Sequence, residues 1–261
     1  MCTPKAILFF IFLLINTNLF AQLKHLHSNV FHWDSLFTKK DKKLGREVRH
    51  IAMDATNEFD FFQVDAVTLN KNGFLKPPHA NKDFEQLLIV KSGTMKCTIG
   101  DKTELLEPGS VVLIPPLEKH SIENINDGPL TFYALFFRSK KGMDIERSKK
   151  AGGALMLHKD SMSYTETTTK GTRKYFDRPT AMCENYEMHT THLFNKGASH
   201  KPHQHVDTEI ILMIDGETEM VIDGITYKAG PGDLYFIESG VIHGISNASD
   251  KPCSYFAFKW R

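Results

Sequence analysis

No single sign of charge dominates this chain, which has 32 basic and 31 acidic residues among 261. A nucleic-acid-binding protein usually shows a basic excess, so the balance argues against a nucleic-acid partner. Cysteine is scarce, and Cys97, Cys183 and Cys253 show none of the spacing that is typical of metal-binding cysteines. Cys2 lies near the N-terminus, ahead of the predicted mature chain, and the three thiols that remain cannot all pair within one chain. We therefore expect buried free thiols, with a Cys183–Cys253 disulfide as the alternative.

A hydrophobic run long enough to cross a membrane is also missing. The apolar run from Ala6 to Ile15 is shorter than the roughly 20 residues that a spanning helix needs. Lys5 precedes this run and the small residue Ala21 follows it, as in a signal peptide. We therefore predict a signal peptide at residues 1–22, cleaved after Ala21, with an uncleaved anchor as the alternative. The mature protein would be periplasmic or secreted, with no membrane attachment.

The chain contains an internal repeat at an offset of about 124 residues, far longer than the unit of a solenoid. The aligned pairs are Gly73 with Gly197, His79 with His203, Gly93 with Gly216, Gly109 with Gly232, His120 with His243, and Asn124 with Asn247. We therefore predict two similar domains, at residues 48–138 and 173–261. An N-terminal extension (residues 23–47) would wrap the first, and a linker (residues 139–172) would join them.

Both halves are predicted to be all-β, because short apolar runs are bounded by turn residues throughout. Examples are Leu87–Val90, Val111–Ile114, Ile210–Ile214 and Leu234–Ile237. The segment Met220–Tyr227 is predicted to be a hairpin, since its central Asp-Gly pair accepts the positive φ angles of a tight turn. Residues 158–172 are rich in serine and threonine, and would continue the linker or form an edge strand of the second domain.

Potential metal ligands cluster in the second repeat. His203 and His205 are two residues apart, so on a strand they point to the same face. Glu209 keeps that parity, and His243 would come from another strand. Imidazole nitrogens and a carboxylate are the usual ligands of divalent first-row metals. The sequence thus predicts a metal site at His203, His205, Glu209 and His243, with Glu209 either a permanent ligand or a base.

These residues resemble the two motifs of the cupin superfamily. The first motif, G-x5-H-x-H-x3-4-E-x6-G, is met in full from Gly197 to Gly216. The second is met by Gly232, Gly240, His243 and Asn247, with Glu238 in place of its proline. The resemblance implies a bicupin of two tandem jelly-roll barrels, with one divalent transition metal (Fe, Mn, Ni, Cu or Zn) per chain. It also suggests a monomer or homodimer.

The first repeat keeps only part of this ligand set. His79 and His120 remain, but Asn81 and Gln86 replace the second histidine and the glutamate. Replacing an imidazole and a carboxylate with two amides removes the negative charge and leaves weaker metal ligands. This site should therefore bind metal far less tightly. The neighbouring Glu85 could restore a carboxylate only through a register shift, which would turn every side chain to the other face. We expect the first barrel to be a scaffold, a dimer surface or a metal-free pocket.

Other candidate residues of the second domain are open to two interpretations. Of the strand Tyr186–Leu193, either the side with His189 and Thr191 or the side with His192 faces the interior, and we favour the former. His200 and Lys201 could contact a substrate or could be solvated loop residues. The last strand supplies Tyr255, Phe256, Lys259 and Trp260, which we expect to be packing or dimer-contact residues.

Two functions fit these features. The first is a metal-dependent enzyme that acts on a small, oxygen-rich organic substrate, as a dioxygenase or a sugar or sugar-acid isomerase. The second is a non-catalytic, metal-containing protein that binds small molecules such as carbohydrates. Fold-level analogy favours the enzyme. No arginine lies between Arg178 and Arg261, which disfavours a decarboxylase that binds its substrate through arginine. A neutral substrate, or an anion bound through the metal, fits better.

Overall fold

The computed structural model describes residues 23–71, 73 and 77–261, so the predicted signal peptide lies outside the described residues. The first half contains β1 (Asn29–Phe31), β2 (Thr38–Asp41), β3 (Arg46–Asp54), β4 (Phe59–Leu69), β5 (Glu85–Ser92), β6 (Met95–Ile99), β7 (Lys102–Leu106), β8 (Val111–Ile114), β9 (His120–Asn124) and β10 (Leu130–Ser139). The second half contains α1 (Ile145–Lys150), β11 (Leu155–Leu157), β12 (Tyr164–Glu166), β13 (Lys170–Arg178), β14 (Tyr186–Leu193), β15 (Gly197–Ala198), β16 (Thr208–Asp215), β17 (Thr218–Ile222), β18 (Ile225–Ala229), β19 (Leu234–Ile237), β20 (His243–Asn247) and β21 (Cys253–Trp260).

The strands form two barrels, each made of a large sheet and a small sheet. In the first barrel a seven-stranded sheet in the order β11-β8-β5-β10-β4-β3-β2 faces the sheet β7-β6-β9. In the second, the order β1-β19-β16-β21-β14-β13-β12 faces the sheet β15-β20-β17-β18. The prediction of an all-β protein with two tandem jelly-roll barrels is confirmed.

The central strands of the large sheets are buried on both faces, which explains their uninterrupted apolar runs. On β5, Leu88 and Val90 point into the core of the first barrel, whereas Leu87 and Ile89 belong to a core shared by both barrels. Side chains alternate between the two faces of a strand, so a strand that is buried on both faces is apolar at consecutive positions instead of at every second one. The shared core also holds the buried aromatic ring of Trp260.

The segments outside the repeats add strands to the large sheets, and one segment can contribute strands to both barrels. The N-terminal extension adds β1 to the second barrel through β19, and β2 to the first barrel through β3. The extension therefore contacts the first barrel, as expected, and also extends the second. In the linker, β11 pairs with β8 of the first barrel, and β12 is an edge strand of the second. These strands are added because each large sheet would otherwise leave an open edge, with which a neighbouring segment can pair.

Two local predictions are confirmed. Strands β17 and β18 form a hairpin in which Asp223 and Gly224 have φ angles of 47° and 78°. Cys97, Cys183 and Cys253 are buried free thiols. Within the part of the chain that the structure describes, no helix is both long and apolar enough to cross a membrane.

Candidate metal centre

Strand pairing brings the predicted ligands of the second barrel together. His203 and His243 form an isolated antiparallel bridge in which each backbone N–H donates to the carbonyl of the other, at 2.9 and 2.8 Å. The backbone N–H of Gly240 donates to the carbonyl of His205 at 2.8 Å, which holds the second histidine beside the same loop. Glu209 enters from β16 in the large sheet. The mouth of the barrel thus receives ligands from both sheets.

The three imidazoles cluster, and the Glu209 carboxylate contacts two of them. The carboxylate oxygen Oε2 of Glu209 lies 3.0 Å from Nε2 of His205 and 3.0 Å from Nε2 of His243. One ring nitrogen from each of His203, His205 and His243 lies within 4.8 Å of the others. Three imidazoles at this separation, with a carboxylate in contact with two of them, are a donor set that a divalent first-row transition metal can use. Their role as metal ligands stays a prediction.

Backbone carbonyls orient two of the imidazoles. The Nδ1 atom of His205 donates to the carbonyl of Asp207, and that of His243 donates to the carbonyl of Val241, both at 2.9 Å. Each ring therefore directs Nε2 toward Glu209, as ligand histidines do when a carbonyl fixes their tautomer. A proton shared between Nε2 and the Glu209 carboxylate would be replaced when an ion binds.

The pKa shifts of these groups favour metal binding at Glu209 and His203 and oppose it at His205, whose pKa is raised by its hydrogen bond with Glu209, so an ion would have to displace a proton there. Burial opposes ionisation of Glu209, but hydrogen bonds from His205 and His243 outweigh it and lower its pKa to about 2. Burial, together with the neighbouring histidines, lowers the pKa of His203. Near neutral pH the site therefore offers an ionised carboxylate and an unprotonated His203. A carboxylate with so low a pKa is better suited to ligation than to proton abstraction.

The four residues line a cavity of about 260 Å³. Its other walls include Lys170, Thr172, His189, Thr191, Ser199, His200, Ile211, Met220, Ile245, Tyr255, Ala257 and Lys259. The inward orientation that we favoured for His189 and Thr191 is confirmed, and His200 lies beside His203 with ring centroids 4.5 Å apart. Lys201 does not line the cavity.

Lys259 was wrongly expected to be a packing or dimer-contact residue. On β21 it stands opposite Glu209 of β16 and opposite Glu187 of β14. Its Nζ atom lies 3.1 Å from Oε2 of Glu187, whose other oxygen lies 3.3 Å from Nδ1 of His189. These side chains form a charged ladder across three adjacent strands. The sequence could not show it, because β14 and β21 are separated by about sixty residues and their register depends on tertiary pairing.

Tyr255 and Lys170 were also missed as wall residues. The hydroxyl of Tyr255 donates to Oγ of Ser199 at 3.2 Å, and the Nζ atom of Lys170 donates to the Ser199 carbonyl at 3.5 Å. Phe256 and Trp260, in contrast, belong to the shared core, as expected for packing residues. Alternation along β21 separates the two groups, since odd and even positions face opposite sides.

The first barrel repeats the backbone of this site but keeps only two of its four metal-ligand side chains. His79 and His120 form the equivalent antiparallel bridge. Asn81 donates through Nδ2 to Oε1 of Gln86 at 3.1 Å, where the second barrel has the His205–Glu209 contact. Glu85 keeps its register and faces the shared core, accepting from Oγ1 of Thr180 and the N–H of Met182 at 2.7 and 2.8 Å. It therefore supplies no carboxylate to this site.

Comparison with known proteins identifies the class. The family model of the cupin domain matches residues 66–136 and 191–259, which together make up more than half of the chain. The chain therefore belongs to the cupin superfamily, and its two matches make it a bicupin. Among curated proteins, no sequence matches the chain significantly.

Solved structures share the whole architecture. YlbA from E. coli is 17% identical, with a TM-score of 0.71, and the match covers 92% of this chain and 93% of that protein. A putative glyoxylate-induced protein from Pseudomonas aeruginosa is 13% identical, with a TM-score of 0.69 and coverages of 90% and 88%. Oxalate decarboxylase from Bacillus subtilis is 13% identical, with a TM-score of 0.68 and coverages of 89% and 77%. That enzyme has Mn(II) centres. Identities this low establish the fold alone.

Proposed function

We propose that this protein is a metal-dependent enzyme whose second barrel acts on a small, oxygen-rich organic acid. The observation that carries the proposal is the convergence of His203, His205, Glu209 and His243 in a cavity that two lysines also line. A divalent ion held by these residues would polarise substrate oxygen atoms and, if it were iron, manganese, copper or nickel, could exchange electrons. Oxygenation and isomerisation of a sugar acid are the reaction classes that fit.

The charge of the cavity favours an anionic substrate. Lys170 and Lys259 carry positive charge, and Glu187 and Glu209 carry negative charge. A divalent ion would tip this balance toward positive charge and so attract a carboxylate. Burial opposes the protonated form of Lys259, but contact with Glu187 outweighs it and raises the pKa of the lysine. Lysine thus supplies the positive charge of a cavity that no arginine lines among the described residues.

His189 is the best candidate for proton transfer. It lines the cavity and is not one of the four predicted ligands. Contact with His189, aided by Lys259 and opposed by burial, lowers the pKa of Glu187 to about 2, so this carboxylate stays ionised and can orient the imidazole. An imidazole oriented by a carboxylate is a common general acid or base near neutral pH. Glu209 would then act as a ligand instead of a base.

Export and a monomeric or homodimeric state remain part of the proposal. Export depends on residues 1–22, which lie outside the described residues, and would bring the enzyme to substrates beyond the cytoplasm. The alternative of a non-catalytic binding protein predicts the same metal but no turnover.

The test combines metal analysis with substrate screening. The protein, freed of any tag, would be incubated with sugar acids, phenolic acids and matched neutral sugars, while NMR follows turnover and an electrode follows oxygen uptake. We expect an acid to react, with little reaction of the neutral analogue. Binding of an acid without turnover would support the alternative, and preference for neutral compounds would overturn the anionic assignment.

Variants separate the roles of the residues. Lys170→Met/Lys259→Met should raise KM for the acid more than tenfold with a smaller change in kcat, because it removes charge that binds the substrate. His189→Gln should instead lower kcat on the order of 100-fold and remove one limb of its pH profile. Thr172→Ser, on the same wall, is the control. If kcat and KM are unchanged in both the double lysine variant and His189→Gln, this cavity is not where the reaction occurs.

A further inference from the structure

A second group of possible metal ligands lies at the N-terminal extension. Two groups of three histidine or acidic residues among residues 23–71, 73 and 77–261 have ligand atoms close enough to hold one ion. The first is the histidine cluster of the second barrel, and the other consists of His25, His27 and Glu238. These three residues will be called the strap site, because residues 24–31 cross from the first barrel to the second.

The backbone of the strap is fixed on both sides of the site. The N–H of Leu26 donates to the carbonyl of Ala55 at 2.8 Å, and the N–H of Ala55 donates to the carbonyl of Lys24 at 2.9 Å. The Leu26 side chain is buried in the shared core. Further along, β1 pairs with β19, which ends at the residue before Glu238. His25 and His27 flank the buried Leu26, so alternation directs both imidazoles away from the core.

Both imidazoles meet the same carboxylate. Nε2 of His25 lies 2.8 Å from Oε1 of Glu238, and Nδ1 of His27 lies 3.5 Å from Oε2. The ligand atoms of all three residues lie within 4.8 Å of one another. This spacing of two histidines i and i+2 on an extended segment is the one that His203 and His205 use.

Hydrogen bonds with Ser28 orient the Glu238 side chain. The N–H of Ser28 donates to Oε2 of Glu238 at 3.0 Å, and the N–H of Glu238 donates to Oγ of Ser28 at 2.9 Å. Burial opposes ionisation of this carboxylate, but the Ser28 N–H and His25 outweigh it and lower its pKa. Hydrogen bonds that orient a ligating carboxylate are a regular part of metal sites. Glu238 also occupies the position where the cupin motif has a proline, which could not ligate an ion.

We propose that His25, His27 and Glu238 form a second divalent-metal site that joins the strap to the second barrel. Two imidazoles and one carboxylate are a donor set for Zn²⁺ and neighbouring ions, with water completing the coordination. His27 is 76% exposed and Glu238 is 21% exposed, so the ion would exchange readily with solvent. The site is separate from the predicted centre of the second barrel and does not depend on the proposed reaction.

The test counts zinc in tag-free protein that has been stripped with a chelator and titrated with Zn²⁺. The wild-type protein should bind two ions, and His25→Ala/His27→Ala and His203→Ala/His205→Ala should each bind one. Zinc should raise the Tm of His203→Ala/His205→Ala, and this rise should vanish when the strap histidines are also replaced. His50→Ala/His158→Ala is the matched control, because each of these histidines contacts a single carboxylate.

The outcomes separate this proposal from the proposed function. Zinc binding that is identical in the wild-type protein and His25→Ala/His27→Ala would overturn the strap site and leave the barrel site untouched. A single ion that is lost only with the strap histidines would support the strap site and remove the basis of the enzyme proposal. Glu238→Gln keeps the side-chain shape and should weaken strap binding at least tenfold. A Glu238→Gln variant that binds as tightly as the wild-type protein would contradict the role of the carboxylate.

Discussion

The two barrel mouths have nearly the same backbone but different chemistry. The ring centroids of His79 and His120 lie 4.6 Å apart, and those of His203 and His243 lie 4.7 Å apart. His120 and His243 each donate through Nδ1 to a carbonyl two residues earlier at 2.9 Å. The fold therefore presents two inward-facing imidazoles in both barrels.

The remaining two positions determine what each mouth can bind. In the second barrel they hold His205 and Glu209, and in the first they hold Asn81 and Gln86, which bond to each other. A neutral amide pair satisfies its own hydrogen bonds and offers no charge to an ion. The comparison teaches that two side chains, and not the fold, separate the mouth that is predicted to bind a metal from the one that is predicted not to.

The largest expected effect comes from removing the ligands of one barrel. His203→Ala/His205→Ala should abolish metal binding at the second barrel, because two of its three imidazoles are lost. His79→Ala in the first barrel should leave the metal content unchanged. Elemental analysis of the stripped and reloaded proteins gives both numbers, with the strap histidines replaced in every sample. Equal losses of bound metal in the two variants would mean that the two barrel mouths do not differ in metal binding.

The reverse change should convert the inert mouth into a metal site. Asn81→His with Gln86→Glu would place four donors on a backbone that already matches the second barrel. We expect one additional equivalent of bound metal in the same assay. Asn81→Gln/Gln86→Asn keeps two amides and is the control. If the double variant folds and gains no metal, features beyond these two positions distinguish the barrels.

A third contrast concerns the residue before the third ligand position, which is Glu85 in the first barrel and Thr208 in the second. Both face the contact between the barrels, where Glu85 accepts from Thr180 and Thr208 donates to Glu58. Burial raises the pKa of Glu85 to about 7, opposed by the hydrogen bonds from Thr180 and Met182. The folded state thus binds this proton more tightly than the unfolded state, whose carboxyl has its ordinary pKa of about 4.3. Stability should therefore fall as pH rises from about 4.5 to 7, and remain level above that.

Replacing Glu85 with glutamine should remove this pH dependence. The loss of unfolding free energy between pH 4.5 and 8 should shrink by about 3 kcal/mol, the equivalent of the raised pKa. Urea unfolding at a series of pH values measures it. Glu123→Gln, at an exposed pair with Lys96, is the control and should change little. A steep fall in stability that persists in Glu85→Gln would assign the pH dependence to another group.

The smallest expected effect comes from the loop that holds the second ligand position. Leu117 has a φ of 69° and donates its N–H to the Asn81 carbonyl at 2.7 Å, as Gly240, with a φ of 78°, does to His205. A left-handed conformation costs a non-glycine residue roughly 1–2 kcal/mol. Leu117→Gly should therefore stabilise the protein by less than about 1 kcal/mol, after the entropy of glycine is subtracted. Gly240→Ala should destabilise it by about 1 kcal/mol.

Thermal or urea unfolding of the two variants tests this contrast, because the changes in unfolding free energy should have opposite signs. An added Cβ at Gly240 meets no atom within 4 Å, so only the backbone conformation opposes it. Destabilisation by both substitutions would show that the Leu117 side chain, although 58% exposed, contributes packing that outweighs its backbone conformation.

The sequence alone determined the class of fold and the residues that meet at the second barrel mouth. Short apolar runs between turn residues and an internal repeat predict two β-rich domains, which the resemblance to cupins makes jelly-roll barrels. The spacing of His203, His205 and Glu209 places their side chains on one face. These inferences need only local geometry, because the period of a strand is fixed by its backbone.

Tertiary structure alone decided which distant segments share a wall or a sheet. Lys259 reaches the cavity, and His25 and His27 reach Glu238, through strand pairings between residues about fifty to more than two hundred positions apart. The register of such pairings is set by packing across the whole molecule and leaves no local pattern in the sequence. For the same reason, β1 joins the second barrel although its residues precede the first.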